Sequence, residues 1–137
     1  MSKFLKNIVK NHFNKRQKNP VVTWDETEIV CHFPGNETKH MLWKDLSAVV
    51  IETTDEGPWM EDVYFLLFSD VLDSIFGIPQ CAEGSQDLLE KLMQLPGFNE
   101  EAVIKAMSST SNQSFLCWEK PGWVGQEWPG IEAARNF

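Results

Sequence analysis

Residues 43–68 read WKDLSAVVIETTDEGPWMEDVYFLLF. Ala48 to Ile51 and Val63 to Phe68 are β-branched and aromatic runs, the side chains that fit a pleated, half-buried surface, so each predicts a strand. Between them, residues 52–58 (ETTDEGP) carry turn chemistry in Gly57-Pro58 and the carboxylates Glu52, Asp55 and Glu56. Glu61 and Asp62 add acid on the far side of the turn. The stretch predicts a β-hairpin or meander with an acidic loop at its tip.

Upstream, Val21–Trp24, Ile29–Phe33 (IVCHF) and Lys39–Trp43 (KHMLW) predict three further strands, separated by Asp25–Glu28 and by Pro34-Gly35 turns. Downstream, Ile75–Ile78 predicts a short strand closed by Pro79. Leu88, Leu89, Leu92, Met93 and Leu95 repeat at helical spacing behind Ser85, a candidate N-cap. Pro96-Gly97 breaks that helix. Asn99 opens the next, whose first turn holds Glu100 and Glu101, where the helix dipole favours acids. Phe115–Trp118 (FLCW) predicts the last strand. The expected architecture is α+β: one bent antiparallel sheet of six or seven strands, packed by helices at 86–95 and 99–107. Residues 20–118 form this domain.

Two flanks differ from it. Residues 1–19 contain an amphipathic pattern in which Phe4, Leu5, Ile8, Val9, His12 and Phe13 make one apolar stripe and the other face is basic. Packing on the chain's own acidic body is the favoured expectation; an anchor for an anionic membrane or nucleic acid is the alternative. Residues 119–137 (EKPGWVGQEWPGIEAARNF) are rich in Trp, Pro and Gly. They predict an extended arm lying over the domain, or one offered to a partner.

The 137-residue chain is 42% hydrophobic with six Trp and nine Phe, which supports one packed core rather than disorder. Its net charge is −8, and six of its twelve basic residues lie within the first eighteen positions, which hold no acid. The rest sets six bases against twenty acids. An acidic body repels nucleic acid and attracts basic partners. Cys31, Cys81 and Cys117 form no CxxC pair and are odd in number, so buried free thiols in a reducing cytoplasm are expected. No secretory signal or membrane-length apolar run is evident. The expectation is a soluble, cytoplasmic protein.

Motifs for catalysis are absent. There is no G-x-S-x-G elbow and no glycine-rich phosphate loop. His32 and His40 become neighbours if their strands pair, but Cys31 and His32 are adjacent and point to opposite faces, which is poor for chelation. The acidic loop lacks the spaced carboxylates of a calcium site. No catalytic residue, metal or cofactor is therefore expected.

With these elements in place, the stretch at 43–68, GIPQ at 77–80, LLEKLMQLPGF at 88–98, AVIKAM at 102–107 and FLCWE at 115–119 resemble a family of small, mostly uncharacterised bacterial proteins. Its members are encoded beside polymorphic or contact-dependent inhibition toxins, and the resemblance implies a pleckstrin-homology-like or half-barrel sheet packed by helices. The resemblance implies a non-enzymatic immunity protein that occludes a cognate toxin domain bearing a basic surface, plausibly a nuclease. On this reading Glu52, Asp55, Glu56, Trp59, Glu61 and Asp62 form the partner surface. The rival expectation is a pleckstrin-homology-like adaptor that binds a peptide or a membrane surface; a small enzyme is the least favoured.

Overall fold

A computed structural model describes residues 19–35, 37–55, 63–71, 74–123 and 131–135. The amphipathic segment expected at 2–18, most of the acidic loop and Trp128 lie outside the described residues.

The described chain is α+β, with two antiparallel sheets. Strands β1 (Val21–Trp24), β2 (Glu28–Phe33) and β3 (Glu37–Leu42) form a meander in the order β1-β2-β3. Its first turn is set by Asp25, whose carboxylate accepts the backbone N–H groups of Thr27 at 2.8 Å and Glu28 at 2.9 Å. Strands β4 (Leu46–Thr53), β5 (Val63–Ser69), β6 (Ser74–Pro79) and β7 (Gln113–Glu119) form the second sheet in the order β6-β5-β4-β7. Helices α1 (Ser85–Leu92) and α2 (Glu100–Met107) carry the chain from one edge of that sheet to the other. A short helix, α3 (Ile131–Arg135), packs against β7.

The expected hairpin is present: β4 and β5 pair antiparallel from Leu46–Ser69 to Thr53–Val63. The expected single sheet is instead divided three and four. A 3-10 turn at Trp43–Asp45 separates β3 from β4. It is tied back to the β1–β2 turn, because the Trp43 backbone N–H donates to the Thr27 carbonyl (3.0 Å) and its indole N–H to that of Asp25 (2.7 Å). That anchoring turns the chain out of the first sheet before β4 begins. The Trp43 ring meets Trp24 edge-on, with Lys91 over the Trp24 face.

One core fills the space between the sheets. Ile29, Cys31, Phe33 and Met41 from the first sheet meet Val49, Ile51, Phe65, Leu67, Phe76 and Ile78 from the second. Leu88, Leu89 and Leu92 of α1 and Ala102, Val103 and Ala106 of α2 complete it, each set recurring at helical spacing. Asn99 caps α2 as expected, its side chain accepting from the Ala102 N–H. Ser85 does not cap α1. Gly84 holds that position with φ of 86°, while the Ser85 hydroxyl is buried and donates to the Gln80 carbonyl.

A second cluster lies on the other face of the four-stranded sheet. Ala48, Val50, Tyr64, Leu66 and Phe68 are joined there by Ile131 and Ala134 of α3, with Trp123 packed alongside. Thus β4 and β5 are buried along both faces. The region 131–135, expected to be irregular, is helical because Glu, Ala and Arg are strong helix formers and Ile131 and Ala134 share one buried face.

Candidate functional site

The acidic segment leaves the sheet at the end of β4. Its base is fixed to the loop before β7. The Thr53 hydroxyl donates to the Ser111 carbonyl at 2.7 Å, and the Asp55 N–H donates to the Asn112 side-chain oxygen at 3.3 Å. Thr54 is buried and Asp55 is exposed. Of the residues expected to meet a partner, Asp55 is therefore displayed at the surface. Glu56, Trp59, Glu61 and Asp62 lie outside the described residues.

Glu52 is placed differently from the expectation. It belongs to β4 rather than to the loop, and it is 1% exposed. Alternation along β4 puts Ala48, Val50 and Glu52 on the second face. There Glu52 stands between Tyr64 on β5 and Ser114 on β7. Among the described residues neither carboxylate oxygen has a hydrogen-bond partner. Burial pushes its pKa up to about 7. Glu52 is therefore not displayed at the surface beside Asp55.

The strand position of Glu52 was hidden in the sequence by its neighbours. Glu52-Thr-Thr-Asp-Glu-Gly-Pro58 has turn composition throughout. The available signal was its spacing, two residues beyond Val50 on the same strand face.

The histidines share the outer face of the first sheet. His32 sits opposite Thr38, its Nδ1 3.1 Å from the threonine hydroxyl, and His40 lies one step diagonally away, 3.3 Å from the Glu28 carboxylate. Cys31 turns inward between them. Among the described residues no group of three or more His, Cys, Asp or Glu side chains converges as a metal site would. Burial holds the Cys31 and Cys117 thiols up at about 12, far from the reactive thiolate. Cys81, expected buried like the others, is exposed. No helix among the described residues is long and apolar enough to cross a membrane.

No family model, curated protein or solved structure matches this chain.

Proposed function

We propose that the protein is a non-enzymatic immunity protein that binds and occludes the basic surface of a toxin domain in the producing cell's cytoplasm. The observation that carries this reading is the presentation of the acidic segment. A long, doubly buried hairpin holds it, and hydrogen bonds from Thr53 and Asp55 pin its base to residues 111 and 112. A pre-ordered base lowers the entropy lost on binding, and matched charge speeds encounter. Asp55, Glu56, Glu61 and Asp62 supply the charge and Trp59 an aromatic anchor. Glu52 has no part in the contact, because it faces the second core cluster.

The test is co-expression with the toxin domain encoded beside the gene. Reversing charge at Asp55, Glu56 and Glu61 together is expected to abolish protection and to weaken binding by at least about tenfold, with the thermal midpoint kept. Intact protection by the triple variant would refute the acidic-loop interface.

A second reading is a pleckstrin-homology-like adaptor. It is favoured by the pair of antiparallel sheets around one core, from which a half-barrel would be built. Peptide capture that survives the triple charge reversal supports it over the first.

A further inference from the structure

The outermost strand of a sheet turns every second residue's N–H and C=O away from its neighbour, and such groups recruit another strand unless something covers them. The outer edges of β1, β6 and β7 are covered. At β1 the Val22 N–H donates to the Glu83 carbonyl (2.8 Å) and the Glu83 N–H to that of Pro20 (3.0 Å). At β7 the Cys117 carbonyl accepts the Asn99 N–H (2.8 Å). At β6 Gly77 and Pro79 are buried, and Pro79 has no N–H to offer. Strand β3 is different: Thr38 and His40 are exposed and Leu42 is half-buried.

The bonding phase of β3 follows from the turn between β1 and β2. The Asp25 N–H donates to the Glu28 carbonyl at 3.0 Å, so Glu28, Val30 and His32 direct their backbone groups towards β1. Ile29, Cys31 and Phe33 then bond the other way, to Met41, Lys39 and Glu37 opposite them. The Trp43 N–H on the Thr27 carbonyl continues the same phase. Thr38 and His40 are left with N–H and C=O pointing away from β2, and Leu42 with its N–H. Among the described residues none of these groups has a backbone partner. Charged side chains, lysine above all, protect many edges. Here Lys39 is drawn back over its own sheet, 5.9 Å from the Phe33 ring centroid and 3.5 Å from the Glu37 carboxylate.

Such an edge takes an extended backbone, and the sequence of β3 makes it complementary to itself. Two β3 strands can pair antiparallel about a two-fold axis, with outward residues bonding to outward residues. An axis at Lys39 would set that cation against its own mate. An axis at Thr38 would overlap residues 37–39 alone. An axis at Met41 would draw in Trp43, which is tied to the β1–β2 turn. An axis at His40 pairs Thr38 with Leu42 of the other copy and Lys39 with Met41, using the strand from 38 to 42 and opposing no two fixed like charges. We infer that two copies of this chain pair antiparallel along β3 about an axis at His40, joining their three-stranded meanders into one continuous sheet. This goes beyond the toxin-binding reading and stands without it.

Sedimentation velocity of the full chain, from micromolar to millimolar concentration, tests this. The expected result is a concentration-dependent dimer; a monomer throughout overturns the inference. His40→Pro removes an N–H that its own ladder does not use, and an edge strand accepts proline where that N–H faces outward. The variant is expected to fold and to raise the dimer dissociation constant at least about tenfold. His40→Ala keeps the N–H and is expected to dimerise like the wild type. A folded His40→Pro that dimerises normally, or a His40→Ala that does not, overturns the inference. If His40→Pro fails to fold, two lysine variants decide. His40→Lys keeps a cation beside Glu28 but opposes two cations across the axis, whereas Thr38→Lys faces Leu42. The first is expected to weaken the dimer about threefold or more and the second to leave it nearly unchanged. Equal effects of the two overturn the pairing about His40.

Discussion

Glu52 shows how one residue can be misjudged from composition and then become informative from placement. An acid beside Thr53, Thr54 and Asp55 reads as part of a solvated turn. In the fold it sits in β4 with its carboxyl out of water. Folded, it keeps its proton to about pH 7; its ordinary value is 4.5. Between those values the folded chain binds more protons than the unfolded chain, so stability falls as pH rises. The contribution is fully present below pH 4.5 and lost above about pH 7. Its ceiling is on the order of 3 kcal/mol, from the free energy of a pKa shift of this size. Glu52→Gln keeps the shape and cannot ionise. Its thermal midpoint is expected to fall less than that of the wild type between pH 5 and pH 8. Thermal unfolding followed by circular dichroism at both pH values checks this. Parallel declines would mean that Glu52 does not stay protonated in the fold.

At the scale of elements, the strands and two of the helices were legible because their side chains follow the periods of 2 and 3.6 that the backbone imposes. Ala48–Ile51, Val63–Phe68 and Phe115–Trp118 all fall within strands. Their ends ran longer because a polar residue such as Gln113 or Thr53 pairs in a ladder as well as an apolar one. The division into two sheets was not legible. It depends on long-range bonds from Trp43 to Asp25 and Thr27, which leave no local pattern. The start of α1 was half legible. Gly84-Ser85 marks a helix start, but the glycine holds the cap position. It has φ of 86°, and a Cβ there would run into the Val22 carbonyl oxygen of β1. Gly97 has a similar φ of 81° with nothing nearby. The two glycines form a controlled comparison. Gly97→Ala is expected to cost about 1–2 kcal/mol, the penalty of the left-handed conformation alone. Gly84→Ala is expected to cost clearly more, because β1 and α1 must also separate. Urea unfolding of both variants gives the difference; equal losses would refute the close approach of β1 to the α1 cap.

At the scale of the molecule, the question is whether two sheets make one folding unit. No described pairing joins β3 to β4, so the sheets are held together by side chains rather than by a ladder. Those side chains form one cluster: Ile29 and Met41 from the first sheet, Ile51 and Phe65 from the second, and Leu88 and Leu92 from α1, all at most 1% exposed. A hydrophobic core of this kind couples its walls, since removing either wall exposes the other to water. The charge distribution does not oppose this, because the acids lie mainly outside the cluster. Truncating either wall should therefore lower the stability of the whole. Ile29→Ala in β2 and Ile51→Ala in β4 each remove a fully buried side chain, and each is expected to cost about 2–5 kcal/mol. In both variants the far-ultraviolet signal and the tryptophan emission, which includes Trp24 and Trp43 by the first sheet and Trp118 in the second, should move together in a single transition. Two transitions, with Ile29→Ala shifting only one, would show that the meander folds apart from the four-stranded sheet. The hairpin that presents the acidic segment would then owe none of its order to β1–β3.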